Sequence, residues 1–517
     1  MNSTYTYDKN FQLGNIDNKV WSSFTEHLGR SIYGGIYDPN KSFSDNNGFR
    51  KDVKKAVKDL NLGVIRYPGG NFVSNYNWKD GIGPKENRKK TMEFAWSSIE
   101  TNQFGIDDFC RWAEEVGVEP MIAVNLGTGS IRSAAELVEY CNHDHGTYWS
   151  DLRIKNGHRQ PYNVKYWCLG NEMEGDWQAG HMSAQQYADK AREAAKMMKW
   201  VDKSIKLVAC GSSYEMLPTY LEWDKTIMKE LYPYVDYIST HNYNMNSGQG
   251  TLNFLSSWKQ LDNHLKNTEN ALDFVKSLRL GKKDDKKDIK ICLDEWNVWN
   301  FQDIKLDNLN DLAGMTTFEL TSAKKWEEHP AILQEKYSLL DALTVGGLGI
   351  TILNNANYIE IACLAQLLNV IAPITTDESG HLLKQTIYYP FELLSKYGRG
   401  TVLEPRVSGD TLSTDYGDLP VIAAATVYDK EKSQLKIFAL NMDTSNTANL
   451  RLNFNAFDGV TPKKQIILTD DNLKARNTFK EPNKVVPTEI NLNTTIDKLS
   501  LPKNSWSVII CDVNSIK

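Results

Sequence analysis

A chain of 517 residues, 41% hydrophobic and 24% charged, has a globular composition and length for more than one domain. Its formal net charge is −6 with no extended basic block, which argues against a nucleic-acid partner. Residues 1–17 are polar with a Thr-Tyr-Thr-Tyr alternation, the pattern of an edge strand. Apolar strands then alternate with amphipathic helices. The expected strands are one within 20–29 ending near Glu26, then 64–67, 120–125, 164–172, 206–210, 235–241, 289–295 and 359–364. The expected helices are 48–62, 106–116, 133–141, 184–201, 252–280, 331–345 and 384–397. Eight alternations predict a (β/α)8 TIM barrel over 18–384. An open doubly wound sheet is the alternative, but it would carry Gly-x-Gly-x-x-Gly after its first strand, and none is there.

Beyond about residue 400 the texture changes to a hairpin (421–428 and 435–440) and short strands at 449–454, 464–468 and 506–511, with no convincing helix. Residues 385–517 are therefore expected to hold the last barrel helix and then an all-β, jelly-roll-like sandwich, with strand 1–17 joining it. The most apolar run, 342–353, is interrupted by glycines and threonines and is too short to span a bilayer, so no membrane is expected. The N-terminus has neither a basic n-region nor an apolar h-region. The seven cysteines lack a Cys-x-x-Cys pair, and Cys168, Cys210 and Cys292 fall in expected buried strands. These features predict a cytoplasmic protein with reduced thiols.

Two strands run into acidic tips: Tyr166-Trp167-Cys168-Leu169-Gly170-Asn171-Glu172 and Ile289-Lys290-Ile291-Cys292-Leu293-Asp294-Glu295. A lone Glu at a strand end is more often a loop residue or a helix-cap partner. Two on the C-terminal rim of one barrel suggest glycoside hydrolysis, which needs one carboxylic acid and one carboxylate across a sugar. The same rim collects Glu26, Arg66, Asn71, Asn171, His241, Tyr243 and Gln366. Arg66 can neutralise a neighbouring carboxylate, a structural role that agrees with the catalytic one. His241 by itself reads as a satisfied core histidine, and Tyr243 by itself is unremarkable. The only close histidine pair, His143 and His145, falls in an expected loop, so neither metal nor cofactor is expected. The lysine and aspartate run at 282–288 reads as solvated surface.

Six motifs, in order, carry a family resemblance: Glu26-His27-Leu28-Gly29-Arg30, Arg66-Tyr67-Pro68-Gly69-Gly70-Asn71-Phe72, Ser98-Ile99-Glu100-Thr101-Asn102-Gln103-Phe104-Gly105, Gly170-Asn171-Glu172-Met173, Asp294-Glu295-Trp296-Asn297-Val298-Trp299 and Ala365-Gln366-Leu367-Leu368-Asn369-Val370-Ile371-Ala372-Pro373. Together they resemble the family-51 glycoside hydrolases, the intracellular α-L-arabinofuranosidases. The resemblance implies Glu172 as acid/base and Glu295 as nucleophile. It also implies that Glu26, Arg66, Asn71, Asn171, Tyr243 and Gln366 hold the sugar or orient the carboxylates. Trp96 and Trp299 are candidate rim aromatics. An exo-acting, retaining enzyme on arabinofuranosyl oligosaccharides is implied, as is a homo-oligomer. Asn300 after Asn-Val-Trp and the acidic Glu174-Gly175-Asp176 depart from the family pattern and bear on leaving-group preference. A β-xylosidase or endoglucanase would use the same two glutamates on the same barrel. A non-catalytic carbohydrate-binding protein would have no need of both.

Overall fold

A computed structural model of the chain describes residues 1–284, 286–302 and 326–514; Asp285 of the charged run, the segment 303–325 and residues 515–517 lie outside that description. Eight strands form a closed parallel barrel: β1 (Ser22–Phe24), β2 (Val64–Tyr67), β3 (Glu119–Val124), β4 (Tyr166–Leu169), β5 (Lys206–Ala209), β6 (Tyr237–Asn244), β7 (Lys290–Val298) and β8 (Ile359–Ala365). Neighbours in space are neighbours in sequence, and β8 returns to pair with β1. Every residue of β2 and β4 is buried, because helices cover the outside and side chains fill the inside. Such strands read as continuous apolar runs rather than alternating ones. The barrel interior holds Cys168, Cys292 and Cys363 as small core residues beside Val64, Met121 and Val208. All seven cysteines are buried free thiols.

The helices follow their apolar spacing. Lys51–Leu60 buries Val53, Ala56, Val57 and Leu60, and Ala184–Val201 starts on a Ser183/Gln186 capping box. Three boundaries differ from expectation. The 252–280 stretch is two helices, Thr251–Leu255 and Trp258–Ser277, and the last barrel helix begins at Tyr388. The helix expected at 331–345 lies instead at Leu339–Asn354, started by Ser338 and Asp341, whose carboxylate accepts from Ser338 N at 2.7 Å.

The cause of that shift is burial on all sides. Leu339–Asn354 is wedged between barrel and sandwich, so it has no polar face and no amphipathic period to read. A Cβ added at Gly346 would stand 2.4 Å from the Trp506 ring of the sandwich. Any larger residue there overpacks the joint, at a cost of about 1–3 kcal/mol.

The C-terminal sandwich is built of two sheets, beside a separate hairpin of Thr411–Thr414 and Gly417–Pro420. One runs Gln12–Ile16, Gly400–Leu403, Ile422–Asp429, Gln434–Asn441, Ser505–Val513, Val460–Thr469 and Thr488–Asn491. The other runs Arg406–Gly409, Asn2–Asp8, Ala448–Asn455 and Leu499–Leu501. Asn2–Asp8 pairs antiparallel with Arg406–Gly409 and parallel with Ala448–Asn455. Its Tyr5 and Tyr7 point into the core between the sheets, with Leu450, Leu452, Ile437 and Ile509. Arg406–Gly409 was not legible as a strand because all four residues are exposed. No helix among the described residues is long and apolar enough to cross a membrane.

Candidate active site

The site is built on an irregularity in β7. Ser239 of β6 faces Cys292, but His241 faces Glu295, so β7 carries one residue more than its partner between those pairs. The same extra residue recurs against β8, where Leu293 faces Ala362 and Trp296 faces Leu364. A regular strand would send Asp294 and Glu295 to opposite faces. The bulge lets both reach the groups at the mouth of the barrel.

Arg66, fully buried, ties these groups together. Its Nη1 donates to Glu295 Oε1 at 2.7 Å and its Nη2 to Asn171 Oδ1 at 2.6 Å, while Nε stands 3.1 Å from Asp294 Oδ2. Tyr243 Oη donates to Glu295 Oε2 at 2.7 Å. With Asn171 Oδ1 taken by Arg66, its Nδ2 is buried and has no hydrogen-bond partner among the described residues. An unpaired buried donor costs about 1–3 kcal/mol, which a ligand acceptor would recover.

Glu172 projects from the loop after β4. Gly170 has φ 90 and Glu172 itself φ 44, a left-handed conformation that a non-glycine residue keeps only when its surroundings fix it. Gly175 N donates to Glu172 O at 2.8 Å, Trp177 Nε1 to Oε2 at 2.7 Å, and His241 Nδ1 lies 2.9 Å from Oε1. The other imidazole nitrogen, Nε2, is 3.2 Å from Asp294 Oδ1. One oxygen each of Glu172 and Glu295 and one nitrogen of His241 lie within 4.8 Å of one another. That spacing suits retaining hydrolysis, which wants carboxyl groups about 5–5.5 Å apart.

Opposing forces set the charges. Burial alone would lower the His241 imidazole, but Glu295 and Asp294 hold it well above its ordinary value. Burial pushes the Glu295 carboxyl up, against the pull of His241 and Arg66. For Asp294 the two cations overcome burial and keep it below the usual range. The trio of Glu172, His241 and Glu295 has the donor types of a metal site, but each already has partners. Both His241 nitrogens face carboxylates and Arg66 supplies Glu295 with positive charge.

Across the pocket, Glu26 Oε1 accepts from Phe72 N at 2.9 Å and Trp96 Nε1 at 3.0 Å, and Oε2 accepts from Gln366 Nε2 at 3.0 Å. Burial pushes its carboxyl up to about 8 in spite of these donors. A Cβ at Gly70 would come within 2.6 Å of Glu26 Oε2, so the backbone must stay bare there.

The pocket encloses about 150 Å³ and is lined by Glu26, Asn71, Glu172, Tyr243, Glu295, Gln366, Trp96 and Trp299, with Trp177, Ser213, Tyr214 and Met245 on the Glu172 side. Arg66 and Asn171 stand behind the two glutamates. All ten candidate residues thus converge on one site. His241, which the sequence places on the rim and reads as a core histidine, bridges Glu172 and Asp294 in the site. Asp294 and Trp177 also belong to it; the bulge in β7 that admits Asp294 leaves no mark in the residue pattern, and Trp177 sits in an irregular loop.

Known proteins resemble this chain along nearly its whole length. Residues 56–265 match the alpha-L-arabinofuranosidase 1 domain and residues 294–505 the alpha-L-arabinofuranosidase C-terminal domain. The chain is 43% identical over 514 residues to an intracellular exo-α-(1→5)-L-arabinofuranosidase of Halalkalibacterium halodurans, covering 98% of this chain and 99% of that protein. The chain belongs to glycoside hydrolase family 51. An exo-α-(1→6)-L-arabinofuranosidase of Bifidobacterium longum is 37% identical over 523 residues, covering 98% of this chain and 97% of its own. The structure of a family 51 α-L-arabinofuranosidase from Bifidobacterium longum superposes with a TM-score of 0.89 at 36% identity, covering 98% of this chain and 99% of that one. Members of the family retain anomeric configuration.

Proposed function

We propose that Glu295 is the nucleophile and Glu172 the acid/base of an exo-acting α-L-arabinofuranosidase that releases terminal arabinofuranosyl residues from arabinose-containing glycans. The observation that carries this reading is the close approach of the two carboxyl groups, with Arg66 and Tyr243 on Glu295 and His241 and Trp177 on Glu172. Glu295, ionised beside Arg66, attacks the anomeric carbon, and Glu172 delivers a proton to the departing oxygen. A covalent glycosyl-enzyme results. Glu172, now the base, takes a proton from water, which displaces Glu295. The free Nδ2 of Asn171 fits the sugar 2-OH, a contact that strengthens as positive charge develops on the ring.

The remaining sugar hydroxyls fall to Glu26, Asn71 and Gln366. A small pocket with polar groups on so many sides supports action on one terminal unit. The relatives named for (1→5) and for (1→6) linkages share that terminal unit and differ in what lies beyond it. A cytoplasmic location belongs to the same proposal, supported by relatives named intracellular and by seven free thiols. So does a homo-oligomeric state, which rests on the family resemblance.

The substrate assignment is tested by comparing an aryl α-L-arabinofuranoside with an aryl β-D-xylopyranoside and a soluble β-glucan. The arabinofuranoside should be preferred by up to about 10⁴-fold in kcat/KM, because the wrong ring leaves buried polar groups unpaired. The glucan should keep its viscosity. Equal hydrolysis of the xyloside, or falling viscosity, would move the assignment to a β-xylosidase or an endoglucanase.

A further inference from the structure

Glu93 is a buried carboxylate to which the catalytic reading gives no part. It ends the strand Thr91–Glu93, which a four-residue turn joins to Ser98–Glu100 in an antiparallel pair. Glu93 is only 2% exposed, and it has neutral donors around it with the like-charged Glu100 and Glu26 nearby. Its two oxygens face into the turn. Ala95 N donates to Oε1 and Trp96 N to Oε2, both at 2.7 Å, with Ser98 Oγ 3.4 Å from Oε2 and Asn75 Nδ2 3.5 Å from Oε1.

A carboxylate spanning two successive N–H groups fixes the orientation of the peptide between them. The turn has reason to need fixing, since Ser97 takes φ 53 in the left-handed region. The residue so oriented is Trp96. Its ring lines the pocket, and its indole Nε1 donates at 3.0 Å to Glu26 Oε1.

We infer that Glu93 is a positioning residue for the hydrolysis: by clamping the Ala95–Trp96 backbone it holds the indole on Glu26, and through it holds Glu26 in place for the sugar. The inference deepens the proposed function and rests on Glu26 being a sugar contact.

Glu93→Gln keeps the size of the side chain but turns an amide NH₂ toward one of the two N–H donors. For an aryl α-L-arabinofuranoside, kcat/KM should fall roughly 10- to 100-fold, the worth of one hydrogen bond to a charged group. The factor should be the same for good and poor leaving groups, because the defect lies at the sugar and not at Glu172. Trp96→Phe should lose a similar factor. Adding Glu93→Gln to Trp96→Phe should then cost less than about twofold more, the non-additivity of residues acting through one contact.

Losses that multiply in the double variant, or normal kinetics for Glu93→Gln, would overturn the inference. Should Glu93→Gln not fold, Glu93→Asp, which keeps the charge but cannot span both N–H groups, carries the same cycle. Glu26→Ala separates the two levels. A large loss there with none from Glu93→Gln refutes only the clamp, whereas normal activity of Glu26→Ala removes the sugar contact itself.

Discussion

Glu295→Ala is expected to abolish turnover on every substrate, whatever its leaving group, because no covalent intermediate can form. A loss of roughly 10⁴-fold or more in kcat is the scale for removing a nucleophile whose neighbours are left in place. The fold should survive. Arg66 keeps Asn171 and Asp294, and Asp294 keeps His241, so no buried charge is stranded. Circular dichroism and a thermal melt check that side of the expectation. Residual activity that falls smoothly with leaving-group quality would mean that Glu295 is not the attacking group.

Glu172→Ala is expected to give the opposite signature, a loss that depends on what departs. Alkyl and glycosyl leaving groups need a proton, and their turnover should fall about 10²- to 10⁴-fold. An activated aryl group leaves without one, so kcat/KM for it should change far less. Its second step, which lacks a base for water, should become slow. Azide needs no base and should restore turnover while forming the glycosyl azide. Equal losses across leaving groups, with no azide effect, would mean that the roles of the two glutamates are misassigned.

Much of this was legible in the residues because the fold advertises it. Strands such as Val64–Tyr67 and helices such as Ile106–Val116 and Ala184–Val201 stand where their apolar spacing places them. The strand-end glutamates were legible because a carboxylate closing an apolar run is conspicuous. Other parts left no local mark. The extra residue in β7 depends on how two neighbouring strands register with it, and it is what brings Asp294 into the site beside His241. The helix Leu339–Asn354 is covered on every side, so the polar face that normally locates a helix is missing. The exposed edge strand Arg406–Gly409 has no apolar pattern because it has no buried face. Trp177 reaches Glu172 from a loop whose shape is set by turns and not by periodicity.

The central claim is that two carboxyl groups set close together perform a double displacement. Hydrolysis of an aryl α-L-arabinofuranoside in the presence of methanol tests it most directly, because the methyl glycoside formed by transfer does not mutarotate. Its anomer is read by NMR. The mechanism predicts methyl α-L-arabinofuranoside, the product of two inversions at Glu295. Methyl β-L-arabinofuranoside as the initial transfer product would contradict it.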